Sequence, residues 1–206
     1  YSDGALKFRY VFVPPGQQAR YRGEGVFEFP VGTVLVKTFA FATDMRRPAE
    51  NMRFLETRLL IRRAEGWVAY PYVWNEAQTE ARLSPIGANI TVNFTNEEGQ
   101  AIALDWAVPN RNQCKGCHDN AGDLVPIGPS ARNLNVTISR PYLRLPPGGP
   151  HSMGTMEAGQ LAGWLEAGLI DQVPNDAPQV PSAFDASAPI EASHCGLRDS
   201  RFSATT

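Results

Sequence analysis

Short runs of alternating apolar and polar residues fill the first half of the chain, and they constrain the fold more than any other feature. Strand side chains point to opposite faces with a period of two, so this pattern predicts strands with one buried face. Turn signals such as Pro30-Val-Gly and Glu65-Gly66 separate the runs. The predicted strands are 6–14, two runs within 26–41, 54–63, 67–74, 89–95 and 102–108. The first 108 residues therefore predict an antiparallel, meander-like sheet.

Two runs, 54–63 and 67–74, flank the turn signal Glu65-Gly66. By pattern alone residues 54–63 suit a helix or a strand, and the turn signal that follows them favours a strand. Pro71 interrupts the run 67–74. Because proline cannot donate to a strand ladder, this second strand is predicted to be an edge strand or a bulged one.

The character of the sequence changes after residue 108. Residues 109–150 are rich in glycine and proline and predict loops. Apolar residues at a spacing of three to four predict one helix near 156–170. Residues 171–206 are rich in Pro, Ala and Ser and predict an extended tail. The fold class is therefore α+β and mainly β, an antiparallel sheet followed by a loop-rich segment and one C-terminal helix.

This organisation predicts one domain and a tail. The predicted domain is 1–170, with a β-rich part at 1–108 and loops and a helix at 109–170. The predicted tail is 171–206. The chain opens at Tyr1 without a signal peptide, which is typical of a processed or truncated form.

Charge and hydrophobicity exclude several functions. The net charge is −2, so no basic excess favours nucleic-acid binding. No apolar run approaches the roughly 18–20 residues that a membrane span needs. Apolar residues make up 43% of the chain, which is enough for a core.

Cys114, Cys117 and His118 form the motif Cys-x-x-Cys-His, the attachment signature of haem c. Two thiols on one short turn can each add to a haem vinyl group and form a thioether. The adjacent imidazole then reaches the iron from the same side, while axial ligation, burial and polarity tune the potential. The motif therefore predicts one covalent haem c, with His118 as the proximal iron ligand.

Two other assignments of this motif stay open. One is a zinc site with three thiolates and one imidazole. Its ligands would be Cys114, Cys117, Cys195 and either His118 or His194. The other is a redox-active pair of the thioredoxin type, although no βαβ pattern surrounds the motif. The three cysteines cannot all pair with one another, so a disulfide-stapled scaffold is not expected.

The segment after the motif resembles class I cytochromes c. CKGCH is followed by Ile127-Gly-Pro129 and by the run ARNL at 131–134. In class I proteins a Gly-Pro pair follows the haem histidine, and the proline carbonyl accepts the imidazole N–H. Pro129 lies at the matching position, so the resemblance implies that Pro129 orients the His118 ring.

The strand-rich front half resembles the cytochrome P460-like domain. The matching stretches are FPVGTVLVKTF (29–39), RLLIRRAEGWVAY (58–70) and the CxxCH that follows. A lysine cross-links to the haem in P460 enzymes, and Lys37 matches best, so the resemblance implies that Lys37 binds at the haem. The alternative is a strand lysine that extends along apolar surface to solvent.

A longer stretch, from Tyr10 to Leu134, also resembles an uncharacterised bacterial c-type cytochrome family. It includes PYVWNEAQTEARL and VPNRNQCKGCH. In that family a second CxxCH domain usually follows this module. The present sequence has a single CxxCH, and Cys195 is interpreted as a remnant of the second or as a free thiol.

The sixth iron ligand is predicted from the class I resemblance. Those proteins usually place a methionine on the far side of the iron shortly before the last helix, which implies Met156 or Met153 here. His151 and His194 are further candidates, and core packing is the alternative for either methionine. Thioether ligation raises the potential and suits electron transfer, whereas a P460-like site would leave the position open for chemistry.

These features predict a monohaem c-type cytochrome that carries electrons between redox partner proteins, an electron carrier rather than an enzyme. Bacteria attach haem to CxxCH on the periplasmic side, so the protein is expected to be periplasmic or otherwise exported. The first alternative is a P460-like five-coordinate haem protein that binds or oxidises a small nitrogen compound. The second is a haem-bearing structural subunit whose tail, 171–206, docks on a larger respiratory or photosynthetic assembly.

Overall fold

The computed structural model describes residues 4–144 and 152–173, and within them the protein is mainly β. Five antiparallel strands form the main sheet, and each pairs with the next along the chain. They are β1 (Leu6–Phe12), β2 (Val34–Ala42), β3 (Met52–Arg63), β4 (Gly66–Trp74) and β5 (Ala81–Leu83). The antiparallel meander predicted from the alternation is confirmed for this part of the chain.

The surroundings of Pro71 differ in detail from the prediction. β4 is the second strand from the edge, because the three-residue strand β5 pairs with Tyr72–Trp74. Pro71 lies immediately before that ladder, and its carbonyl accepts a hydrogen bond from the Ser84 N–H at 2.9 Å. The register shift in the β2–β3 ladder lies between Phe39 and Ala40, so the bulge is not at the proline.

Residues 26–29, predicted as the first of two strands within 26–41, do not join the main sheet. Val26 forms an isolated bridge to Ser130, and Glu28 forms one to Arg20. The Phe27 N–H donates to the carbonyl of Pro129 at 3.0 Å. These bonds join the segment to residues 20, 129 and 130 instead of to β2. The burial of Phe27 in a second core stabilises this arrangement.

β6 (Ala88–Thr95) and β7 (Ala101–Val108) form a separate two-stranded sheet, so the prediction of one continuous meander is wrong here. The turn before β6 redirects the chain: the Gly87 N–H donates to the Ser84 carbonyl at 3.0 Å. The hairpin packs against one face of the main sheet. Its core residues include Phe39, Phe41, Leu55, Val92, Trp106 and Val108.

Short elements follow β7. They are a 3-10 helix (Gln113–Gly116), β8 (Asp119–Asn120), β9 (Asp123–Leu124), α1 (Ala131–Leu134), β10 (Thr137–Arg144), β11 (Ser152–Gly159) and α2 (Gln160–Glu166). Strands β10 and β11 form an antiparallel hairpin; β10 lies in the region predicted as loops, and β11 overlaps the start of the predicted helix. The single helix predicted over 156–170 is shorter than expected, because residues up to Gly159 pair with β10 and Gly168 has a φ of +67° after the helix ends.

A second core lies apart from the first. It contains Ala19, Tyr21, Phe27, Phe29, Ala131, Leu134, Leu161 and Ile170. Leu35 of β2 packs against this second core, whereas Phe39 of the same strand belongs to the first. Because alternate residues of a strand share a face, Lys37 lies between the two cores on that face.

Gly87 supplies the first prediction about stability. Its φ is +79°, and a Cβ at this position would lie 2.4 Å from the Val108 carbonyl oxygen. We expect Gly87→Ala to lower the free energy of unfolding by about 2 kcal/mol, from left-handed backbone strain and the clash together. Gly16 has a φ of +74° with no atom within 4 Å, so Gly16→Ala should cost about 1 kcal/mol. Equal losses in urea denaturation of the two variants would contradict the clash.

The remaining predictions on organisation concern residues that the structure leaves out. Within the described residues no helix is long and apolar enough to cross a membrane. The tail from residue 174 onward lies outside the described residues, so the division into 1–170 and 171–206 stays a prediction.

Candidate functional site

A closed turn leads from β7 into the CKGCH segment. The Asn110 N–H donates to Oε1 of Gln113 at 2.8 Å, and the Gln113 N–H donates to Oδ1 of Asn110 at 2.8 Å. This reciprocal pair closes the turn at Gln113, the first residue of the 3-10 helix. At the other end of the helix the His118 N–H donates to the Cys114 carbonyl at 3.1 Å. The motif residues therefore lie on adjoining tight turns of the backbone.

The two cysteines differ in exposure, and neither forms a disulfide. Cys114 is half-buried and Cys117 is exposed. Burial raises the pKa of the Cys114 thiol. Redox-active thiols of the thioredoxin type have a lowered pKa, so the environment of Cys114 does not match that alternative.

A two-residue turn fixes the ring of His118. β8 and β9 pair around Ala121 and Gly122, whose φ angles are 53° and 92°, as a type I′ hairpin requires. The hairpin returns the chain to His118, where the Val125 N–H donates to the His118 carbonyl at 2.8 Å. The Val125 carbonyl lies 2.9 Å from Nδ1 of His118. Nδ1 therefore donates, which leaves the lone pair on Nε2, the arrangement of a metal-ligating histidine.

Val125, not Pro129, supplies the carbonyl that orients His118. The Pro129 carbonyl accepts from the Phe27 N–H instead, and Pro129 directly precedes Ser130, the N-cap of α1. The physical reason is the β8–β9 hairpin, which brings Val125 back to the histidine within seven residues. Pro129 thus ties the attachment segment to residues 26–29.

Two cations on the main sheet share one aromatic ring. Lys37 and Arg58 are cross-strand partners on β2 and β3, as are Phe39 and Glu56. Nζ of Lys37 lies 4.7 Å from the centroid of the Phe39 ring, and Cζ of Arg58 lies 4.5 Å from it. Both contacts are within the range of cation–π attraction.

The buried carboxylate of Glu56 forms a bidentate ion pair with Arg58. Its side chain is 0% exposed, and the side chain of Arg58 is 31% exposed. Nε of Arg58 donates to Oε2 at 2.9 Å, and Nη2 donates to Oε1 at 2.5 Å. Nε1 of Trp106 also donates to Oε1, at 3.0 Å. Each carboxylate oxygen of Glu56 therefore has a donor, as a buried charge requires.

Electrostatics connects this sheet face to the attachment segment. Burial is the main cause that lowers the pKa of Lys37 to about 8, and three neighbouring cations add to it. They are Arg9, Arg58 and Lys7. Burial also lowers the pKa of His118, and the charges of Lys37 and Arg58 lower it further. The charge of Lys37 therefore contributes to the lowered pKa of His118.

The predicted distal ligands are placed only in part. Met153 and Met156 lie on β11, opposite Leu143 and Arg140, and their side chains are outside what the structure describes. His151, His194 and Cys195 also lie outside the described residues. Among residues 4–144 and 152–173 no three metal-binding side chains form a cluster. The zinc alternative thus depends on residues that the structure leaves out.

The donor set fits an attached haem. Cys114 and Cys117, neither of them in a disulfide, flank a turn, and the imidazole of His118 presents Nε2 with its other nitrogen already hydrogen-bonded. A cavity of about 170 Å³ lies between β4 and this segment, lined by Trp67, Ala69, Arg111, Asn112, Lys115 and Leu124. Pockets that enclose ligands usually measure roughly 300–1,000 Å³. Attachment would therefore depend on covalent bonds and His118 rather than on enclosure.

Comparison with protein-family models, curated proteins and solved structures gives no match to any of the three. The resemblances to class I cytochromes c and to the P460-like domain therefore stay predictions. Three residues of the site were missed from the sequence: Val125, Glu56 and Arg58. An acidic and a basic residue two positions apart in a strand share a face, and this spacing was the available signal for Glu56 and Arg58.

Proposed function

We propose that the chain is an exported monohaem c-type cytochrome that carries electrons between redox partners. Cys114 and Cys117 would hold haem c through two thioethers, and His118 would be the proximal ligand. The bound haem would supply a one-electron carrier whose potential depends on axial ligation, hydrogen bonding and burial. Periplasmic location follows from the place where bacteria attach haem to CxxCH.

The orientation of His118 is the observation that carries this proposal. Its Nδ1 lies 2.9 Å from the Val125 carbonyl, which leaves Nε2 for iron. Such a carbonyl partner fixes the ring and increases the basicity of the ligand. The exposure of Cys117 supports electron exchange, because one attachment point lies at the surface where a partner protein can approach.

A P460-like ligand-binding haem protein is the second candidate, and Lys37 favours it. Lys37 is the lysine that the resemblance selects, and its charge contributes to lowering the pKa of His118. With a pKa of about 8 it has a larger neutral fraction near pH 7 than an ordinary lysine. A neutral amine can act as a nucleophile or base beside an open iron position.

Absorption spectra of the reduced protein with and without carbon monoxide separate the two candidates. An electron carrier with a methionine ligand is expected to give a low-spin spectrum that carbon monoxide leaves unchanged. Met156→Ala and Met153→Ala, measured separately, should convert the protein to a carbon monoxide-binding form when the ligating residue is lost. A high-spin wild-type spectrum that shifts with carbon monoxide would instead support the P460-like candidate. A protein purified after haem maturation without any haem absorption would contradict both.

A further inference from the structure

The cavity between β4 and the attachment segment has an apolar side. Trp67, Val68 and Ala69 of β4 line it, together with Leu124 of β9. Ala69 and Leu124 are buried, and the ring of Trp67 packs edge-on against Phe29 of the second core, with the ring centroids 5.8 Å apart. Because core packing fixes these residues, they offer a preformed apolar surface to a ligand.

Polar side chains complete the lining of this cavity, and they belong to Arg111, Asn112 and Lys115. The Arg111 N–H donates to the Pro85 carbonyl at 3.0 Å, and Cζ of its guanidinium lies 5.0 Å from the centroid of the Tyr70 ring. Nζ of Lys115 donates to the Gly122 carbonyl at 3.2 Å. A ring contact and a single carbonyl leave several N–H groups of the two cations unused, so both can donate to a ligand.

In the described part of the chain, neither cation of this cavity has an acidic partner. Among residues 4–144 and 152–173 no carboxylate lies at salt-bridge distance from Arg111 or Lys115, and no acidic residue lines the cavity. An anion would therefore find two positive charges and no competing carboxylate. An inorganic oxyanion would leave the apolar side unused, whereas a carboxylate on an apolar stem matches both sides.

We propose that this cavity binds a small carboxylic acid as its anion, with Arg111 and Lys115 donating to the carboxylate and the stem in contact with Trp67 and Leu124. The planar fork of an arginine suits the two oxygens of a carboxylate. The cavity measures about 170 Å³, below the roughly 300–1,000 Å³ of pockets for drug-sized ligands. The ligand is therefore a short acid of the size of butyrate.

Thermal unfolding of the full chain produced without haem maturation tests the site at pH 7. Sodium butyrate is titrated against sodium chloride at equal concentration, and butyramide serves as the uncharged analogue. We expect butyrate to raise the unfolding midpoint and butyramide to leave it unchanged. Acetate lacks most of the stem and should need an about fivefold higher concentration for the same shift. Arg111→Gln should weaken the apparent affinity for butyrate about tenfold.

Arg63→Gln is the matched control for Arg111→Gln. Arg63 is exposed, does not line the cavity, and has no ion pair among the residues that the structure describes. Its removal should leave the butyrate response at the wild-type level. Lys115→Gln is the second variant, with an expected loss of about threefold, because one N–H of this ammonium is already bonded to Gly122. Equal responses of the wild type and Arg111→Gln, or equal effects of butyrate and butyramide, would overturn the proposal.

A propionate of an attached haem has the same chemistry, a carboxylate on a short apolar stem. Repeating the titration on haem-loaded protein separates the two sources of the carboxylate. Loss of the butyrate response assigns the cavity to a haem propionate, and a retained response assigns it to a free acid. The first assignment rests on the proposed function, whereas the butyrate response of the haem-free chain tests the cavity even if no haem attaches.

Discussion

Glu56→Gln is expected to lower the free energy of unfolding by about 3 kcal/mol, the lower end of the range for breaking a buried ion pair. The carboxylate is completely buried and accepts from both Arg58 and Trp106. Glutamine keeps one acceptor oxygen, but its amide NH2 replaces the other and opposes an Arg58 donor, and the guanidinium loses its counter-charge. The loss of unfolding free energy does not reach the upper end of that range, because the side chain of Arg58 is 31% exposed and can turn toward water. Urea denaturation of the full chain measures the change.

The chain contains its own control for this prediction. Glu80 and Arg82 have the same two-residue spacing, and their side chains are 53% and 82% exposed. Glu80→Gln should cost less than about 1 kcal/mol, as exposed ion pairs usually do. Similar losses in Glu56→Gln and Glu80→Gln would show that burial of the Glu56 pair does not determine its contribution. In the double variant Glu56→Leu/Arg58→Leu, we expect part of the loss to be recovered, because no buried charge remains.

Replacing both motif cysteines is expected to abolish covalent haem. Cys114→Ala or Cys117→Ala alone leaves one thiol for a single thioether, so attachment should fall but persist. The variant Cys114→Ala/Cys117→Ala has neither thiol and should show no haem staining on a denaturing gel. The readout depends on a covalent bond, because a haem held only by His118 would be lost on denaturation.

Cys195→Ala is the matched control for the cysteine variants. It removes a thiol outside the motif, and haem staining should equal that of the wild type. A purified protein that contains zinc instead of iron, and loses the zinc in Cys195→Ala as well as in the motif variants, would support the zinc site with three thiolates instead of haem c.

Strands β1 to β4, β6 and β7 were predictable because each shows a local alternation, whereas β10 lies in a segment predicted as loops. Alternation fixes which face of β3 and β4 is buried, and Glu65-Gly66 marks the turn between them. The helix is predicted to begin at Met156 because the apolar residues from there onward have a spacing of three to four. The pairing of residues up to Gly159 with β10 is a nonlocal contact that this periodicity does not register, so tertiary pairing overrides it.

For the candidate site, the sequence predicts the motif residues but not the residues that surround them. The chemistry of Cys114, Cys117 and His118 follows from their spacing alone. The choice of Val125 as the partner of His118 depends on the β8–β9 hairpin, whose turn contains Ala121 at positive φ, a residue that does not signal such a turn. Glu56 and Arg58 required the β2–β3 register, because only the register places them beside Lys37.

The proposed function depends on a covalent bond between the CKGCH segment and a haem, and the intact mass of the denatured wild-type protein measures whether this bond forms. After expression with the haem-maturation machinery, we expect the mass of the polypeptide plus one haem, with iron present in equal amount. The mass of the bare polypeptide, or zinc in place of iron, would contradict it.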